Sequence, residues 1–225
     1  GGKTTDLAAS LREAFGDEYI LVSNEIMKQR VGILADNVAL WGDPNVVVTS
    51  DDPREFAALP GFFDVIVADV PCSGEGMFRK DEEAQKQWSE DNVALCEARQ
   101  KRIVADVWPA LAQGGLFIYS TCTFNEEENE DTLLGFLERH PDMYIDPAVR
   151  DFPHMLRSSK LPGGLRVIPS DTGEGHFVCR LRKDGEGEDY DLSVIKSDPV
   201  PRWLFEQLQD TAPISYANIL VRSNK

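Results

Sequence analysis

Phe63-Asp-Val-Ile-Val-Ala-Asp-Val-Pro-Cys72 is a short apolar run that stops in an acid, a proline and a cysteine. Its length and its valine and isoleucine content read as a buried strand over Phe63–Ala68, because β-branched side chains pack well on a pleated surface. Runs of the same kind stand at Tyr19–Ser23, Asn45–Thr49 and Leu116–Ser120, and helical patterns fill Thr4–Phe15, Met27–Leu40, Asn92–Leu111 and Glu126–Arg139. Strands alternating with helices imply βαβ units and a parallel sheet. Ser170-Asp-Thr-Gly173, between Arg166–Pro169 and His176–Arg182, reads instead as a turn closing an antiparallel pair. The expected fold is therefore α/β: a Rossmann-like, mostly parallel sheet ending in an antiparallel hairpin.

Both edges of the sequence read as cut. Gly1-Gly-Lys-Thr4 is a loop-to-helix turn with no strand before it, so the sheet is expected to lack its first strand. Asp184-Gly-Glu-Gly-Glu-Asp-Tyr-Asp191 reads as an acidic linker over 184–200. Trp203, Leu204, Phe205 and Leu208 then start a fresh amphipathic segment, expected to open a further domain over 201–225.

Hydrophobic residues make up 42% of the 225, ordinary for a globular protein. No apolar run approaches the roughly 18 residues of a membrane span, and no basic-then-apolar segment opens the sequence. A cytoplasmic protein without membrane contact is expected. Cys72, Cys96, Cys122 and Cys179 show neither C-x-x-C nor metal-site spacing, so free thiols and no metal are expected. The net charge of −16 argues against indiscriminate nucleic-acid binding. Against that, residues 153–183 carry six Lys/Arg and two Asp/Glu, with Arg79-Lys80 and Arg99, Lys101 and Arg102 adding positive charge. These residues imply a basic lip, whereas Asp81–Glu83 and Glu126–Asp131 read as solvated helix faces.

Ligands of such sheets gather outside the carboxyl ends of the strands. In order, those ends offer Glu25, Asp51 and Asp52, Asp69 with Pro71-Cys72, and Thr121-Cys122. A single acid there, such as Glu25, reads equally well as a helix cap, whereas Cys72 and Cys122, after strands at the ligand edge and among Gly, Ser and Thr, read as functional rather than as small buried hydrophobes. The series favours a nucleoside cofactor, since a carboxylate after the second strand can accept both ribose hydroxyls. Cys96 and Cys179 lie within apolar patterns and read as core. His140, His154 and His176 have no triad spacing and read as structural or surface residues.

Asp69-Val-Pro-Cys-Ser-Gly-Glu-Gly-Met-Phe-Arg-Lys80 and Tyr119-Ser-Thr-Cys-Thr-Phe-Asn-Glu-Glu-Glu-Asn-Glu130 closely resemble the two signature blocks of the Sun/nucleolar-protein family of RNA cytosine-5 methyltransferases. Gly1-Gly-Lys-Thr4 resembles the tail of that family's cofactor loop. Gly173-Glu-Gly-His-Phe-Val178 with Leu181-Arg-Lys183 resembles its closing block in bacterial ribosomal RNA members. The resemblance spans about residues 1–183 and departs from the family at Asp69-Val-Pro, where alanine is usual before the proline.

The resemblance implies a class I methyltransferase domain with a seven-stranded type of sheet over 1–183. It implies S-adenosyl-L-methionine as cofactor and RNA as partner, ribosomal RNA favoured and transfer RNA possible, with no protein partner. It makes Cys122 the nucleophile towards carbon 6 of cytosine and Cys72 the residue that assists proton loss and release. The residues alone do not rank the two, because DNA cytosine methyltransferases place their nucleophile in a Pro-Cys block. Asp69 would meet the amino edge of the base, and Lys3 would sit beside it. Gly1 and Gly2 would admit the cofactor, Glu25 would hold its ribose, and Asp52, with Asp51 as rival, its adenine.

Two other readings remain open. Gly2-Lys3-Thr4 with Asp64–Asp69 could belong to a phosphate-loop nucleotide hydrolase, though Pro71-Cys72 and Thr121-Cys122 then go unexplained. A catalytically inactive binding module on the same fold is the other.

Overall fold

The computed structural model describes residues 2–146, 154–170 and 173–185, together with the backbone of 217–223. Helix α1 (Gly2–Phe15) leads into strand β1 (Tyr19–Glu25), α2 (Lys28–Trp41) and β2 (Val46–Thr49). Strand β3 (Phe63–Asp69) follows, then α3 (Glu82–Gln87), α4 (Glu90–Val107) and β4 (Leu111–Thr121). After α5 (Thr132–Leu137) come β5 (Met143–Ile145), β6 (Met155–Arg157), β7 (Gly164–Val167) and β8 (His176–Lys183), and finally β9 (Ala217–Ser223). They form a single sheet in the order β2-β1-β9-β3-β4-β8-β7-β6, with β5 paired to β8.

The four strands read from the sequence share one direction: β1 is parallel to β2, β3 to β4, and β1 and β3 are each antiparallel to β9. This is the expected Rossmann-like sheet. The hairpin is also where it was expected, with β7 antiparallel to β8 and Ser170 bridged to Gly173. Between β1 and β3 lies β9. Most of the expected linker and further domain, 186–216 and 224–225, lies outside the described residues.

Each face of the sheet is covered for a readable reason. Leu7, Ala8, Leu11 and Phe15 recur at helical spacing on α1 and pack with Tyr19, Leu21, Val65, Val67 and Ile118. On the other face α4 buries Val93, Cys96, Gln100, Ile103, Val104 and Val107, a stripe of three- and four-residue steps. Ser89 caps α4 by accepting from the Asn92 N–H at 3.1 Å, and Glu90 and Asp91 favour its positive end. The helix read as reaching Leu111 stops at Val107, because Pro109 has no N–H to continue it, and Leu111 already belongs to β4.

The larger core joins Phe63, Ile66, Ala68, Trp108, Phe117, Tyr119, Phe136 and Phe177 beneath α4 and α5. Cys96 and Cys179 are buried in this half of the molecule, and burial pushes their thiols up to about 11 and about 12.

Candidate active site

Chain direction reverses its course through the sheet at β1 and β3: β1 leads outward to β2, whereas β3 leads the other way to β4. Crevices that hold ligands open at such a point, outside the carboxyl ends of the strands. Glu25 ends β1 and Asp69 ends β3, so the two carboxylates flank it.

Glu25 is 1% exposed. Its Oε1 accepts the Met27 N–H at 2.8 Å, while Oε2 is buried with no partner among the described residues. Burial holds this carboxyl above its ordinary range. A buried acceptor left open at a ligand edge suits a ligand that brings hydroxyl donors.

Asp51 and Asp52 follow β2. Asp52 caps the short 3₁₀ turn Pro53–Ala58 through the Arg54 N–H at 3.2 Å, and the Arg102 guanidinium lies 3.2 Å from both its oxygens. Asn24 clamps the Asp51 backbone from both sides, at 2.9 Å each, but the Asp51 carboxylate has no hydrogen-bond partner among the described residues. Burial raises it above the usual range, and Glu55 adds to the effect.

Lys3, one residue into α1, places its ammonium 2.6 Å from Asp69 Oδ2, and the Ser120 hydroxyl donates to Asp69 Oδ1 at 2.9 Å. The buried pair Thr4–Ser23, 2.8 Å between hydroxyls, ties this end of α1 to β1. Gly2 begins α1, beside Thr5, Asn37, Leu40 and Trp41 in a cleft between α1 and α2, with open space where a side chain would be. Gly1 lies outside the described residues.

The loops after β3 and β4 bring two sulfurs together. Cys72 Sγ and Cys122 Sγ are 3.0 Å apart, and the Cys122 N–H also points at Cys72 Sγ, 3.2 Å away. Both are free thiols and both are partly exposed. The contact with Cys72 lowers Cys122 from the ordinary thiol value, with Lys3 acting in the same sense and burial and Asp69 opposing. Cys72 is pushed well up, by Cys122 first and by burial second. Of this pair, Cys122 is thus the sulfur favoured to ionise first.

The stretch expected to be a solvated acidic face instead holds the buried polar network that fixes these loops. Glu126–Asp131 closes as a π-helical turn, with the Asp131 N–H on the Glu126 carbonyl at 2.8 Å. The widened turn brings Glu128, Asn129 and Glu130 into the interior, all fully buried. Glu128 accepts from the Ser73 N–H at 3.0 Å, from Gln100 at 2.8 Å and from Asn125 at 2.7 Å. Glu130 takes the Arg166 guanidinium in two bonds, 2.5 and 2.7 Å. Glu75, on the Cys72 loop, accepts the N–H groups of Phe124 and Asn125 at 2.8 Å each. Burial pushes Glu75 up, but these bonds outweigh it and hold it below the usual carboxylate range.

The expected basic lip is largely neutralised. Lys160 pairs with Glu126 and Asp131, Arg180 and Arg182 with Asp146, Lys101 with Glu97, and Arg79 with Glu174. Of these, the pairs of Lys160 and of Arg79 with Glu174 tie the C-terminal segment to the earlier part of the domain.

His140 stacks on Phe136, 4.0 Å between ring centres, as a structural residue. His176 is different: half-buried at the start of β8, it lies near Lys3 and Asp69, and all three interact electrostatically. Its cross-strand position next to Cys122 depends on the register of β8, which no local pattern of residues reveals. No group of three metal-ligating side chains occurs among the described residues.

A family model described as 16S rRNA methyltransferase RsmB/F matches residues 1–182. The protein named ribosomal RNA small subunit methyltransferase F from Serratia proteamaculans is 40% identical over 186 residues, covering 81% of this chain and 38% of that protein. The protein of the same name from Escherichia coli O157:H7 is 41% identical over 206 residues, covering 90% of this chain and 40% of its own length. The chain therefore spans about two fifths of the length of these relatives. Among solved structures, NSun6 from Pyrococcus horikoshii, crystallised with SFG, superposes with a TM-score of 0.69 at 23% identity, over 83% of this chain and 46% of that one. At that identity the likeness concerns the fold.

Proposed function

From the premise that the chain belongs to the 16S rRNA methyltransferase RsmB/F family, we propose that it is the S-adenosyl-L-methionine-dependent catalytic domain of a ribosomal RNA methyltransferase, and that its product is 5-methylcytosine. The observation that carries the reading is the 3.0 Å pairing of Cys72 and Cys122 at the ligand edge of the sheet.

The cofactor suits the groups at the switch point. Glu25 Oε2, buried and open, would accept the ribose hydroxyls, and the unpartnered Asp51 carboxylate would take the adenine amino group. Asp52, the expected adenine contact, is occupied as a cap and by Arg102. Gly1 and Gly2 would leave the approach to α1 clear. Bound there, the cofactor supplies an electrophilic methyl group on a sulfonium. SFG in the P. horikoshii structure is an analogue of the same molecule.

Carbon 5 of cytosine is a poor nucleophile until a thiolate adds at carbon 6. The Cys122 thiolate forms that carbon–sulfur bond, and the electron pair of the 5,6 double bond moves to make carbon 5 nucleophilic. Asp69, held by Lys3 and Ser120, would accept a hydrogen bond from the amino group of the ring. Once carbon 5 carries the methyl group, its proton must leave so that the double bond returns and the sulfur departs. Cys72 is placed to accept it once it has given up its own proton to solvent. Its proton affinity is raised by the negative sulfur of Cys122, and that influence ends when Cys122 becomes a neutral thioether. The Cys122 N–H then remains to stabilise the Cys72 thiolate.

The target base reaches this site only if it is unpaired or flipped out of a helix. Bisulfite sequencing of ribosomal RNA from cells with and without the gene tests the proposal. One cytosine should lose its protection in the deletion strain, and an unchanged methylation map contradicts the reading.

A further inference from the structure

Asp69, Cys72, Cys122 and His176 follow one another across the sheet edge. Asp69 ends β3 and Cys72 lies in the loop after it; Cys122 follows the adjacent β4, and His176 opens the next strand, β8. Thr121 pairs with Phe177 in the last register position of β4 and β8, so His176 comes opposite Cys122 one step beyond. Side chains alternate between faces along a strand. Phe177 packs on Tyr119 in the α4-side core, which sends His176 to the other face, that of Asp69 and Ser120. Its imidazole makes no hydrogen bond to the described residues.

A cytosine ring presents groups in the same order along one edge: the amino-bearing carbon 4, carbon 5, carbon 6, and nitrogen 1 with its ribose. Carbon 4 and nitrogen 1 are opposite corners of the ring. With the amino edge at Asp69, carbon 5 by Cys72 and carbon 6 by Cys122, the sugar comes to the His176 end of the row. We propose that His176 binds the ribose 2′-hydroxyl of the target nucleotide and makes the site select ribocytidine over deoxyribocytidine. This rests on the methyl-transfer reading above. A neutral imidazole offers one donor and one acceptor, which match a hydroxyl that can do both. Burial first, and Lys3 second, hold His176 below the usual histidine range against the pull of Asp69, so the ring is neutral near pH 7.

The test compares single-turnover methylation of two synthetic RNAs spanning the mapped cytosine, one of them with 2′-deoxycytidine at that single position. The wild type should methylate the deoxy substrate about tenfold more slowly, as expected for one lost hydrogen bond at a pre-formed site. His176→Phe should lower the rate on the all-ribose substrate by about the same factor and bring the ratio of the two rates near one, whereas His176→Gln, which keeps a donor and an acceptor, should restore part of the discrimination. A His176→Phe protein that slows both substrates equally, or a wild type indifferent to the 2′-hydroxyl, overturns the inference. A wild type that methylates neither substrate contradicts the underlying methyl-transfer reading instead, and a misfolded phenylalanine variant leaves the glutamine variant and the wild-type ratio to decide.

Discussion

Cys72 Sγ lies 3.0 Å from Cys122 Sγ across a separation of 50 residues, and their surroundings favour ionisation of Cys122 over Cys72. Alkylation by iodoacetamide, followed residue by residue by mass spectrometry, should resolve them. Cys122 should react half-maximally below the ordinary thiol value of about 8.5, and Cys72 only well above it. Lys3→Met should move the Cys122 midpoint upward, because it removes a cation that favours the thiolate. Cys72 reacting at the lower pH would reverse the assignment of roles.

The proposed cofactor contacts separate by calorimetry of S-adenosylhomocysteine binding. Glu25→Gln should weaken binding about tenfold or more without lowering Tm, since it removes a buried charge that has an open oxygen. Affinity of the wild type should fall as pH drops through the raised value of Glu25, where the carboxylate is lost. Asp51→Asn should also weaken binding. Asp52→Asn should leave it within about twofold and alter only the 3₁₀ cap, by no more than about 1 kcal/mol.

The strands were legible because their apolar runs are short, β-branched and ended by acids or turn residues, and Glu25, Asp69, Cys72 and Cys122 were legible because they stand at those ends. The burial of Glu128 and Glu130 was not. A run of charges such as Glu126–Asp131 reads as solvated, and only the π-turn, with the Ser73 N–H from the loop after β3 and Arg166 from β7, makes three adjacent polar side chains interior. His176 escaped for the same reason, since β8 register is a tertiary fact. The position of β9 between β1 and β3 was equally beyond local pattern.

Asp43 makes an acid-stability prediction. Burial pushes it up, but Arg12 at 2.7 and 3.0 Å, the Tyr19 hydroxyl and the Asn45 N–H outweigh that and hold it at about 2. Its folded value lies below its unfolded one of about 3.9, so its contribution is complete above that pH and is lost as pH falls towards 2. Asp43→Asn should lower stability at pH 7 by about 2 kcal/mol and flatten the pH dependence between about 4 and 2. Urea unfolding across that range measures both, and an unchanged slope contradicts it.

Gly76 joins the two cysteine loops to the β8 hairpin. Its N–H donates to the Cys122 carbonyl at 2.8 Å and its carbonyl accepts from the Gly175 N–H at 3.2 Å. A methyl group there would lie 2.5 Å from the Gly175 oxygen and 2.9 Å from the Cys122 oxygen, both backbone atoms. Gly76→Ala should therefore separate the loops, costing about 1–3 kcal/mol and slowing methyl transfer more than Gly135→Ala, where no atom lies within 4 Å. Equal effects of the two substitutions on stability and rate would sink this reading of the junction.

The most direct measurement is the species trapped when proton loss is blocked. Cys72→Ala protein incubated with its RNA and S-adenosyl-L-methionine should yield a protein–RNA adduct that survives denaturing electrophoresis, and peptide mapping should place the RNA on Cys122. Cys122→Ala should give no adduct and no methylated product. Attachment at another residue, or full turnover by Cys122→Ala, contradicts the account.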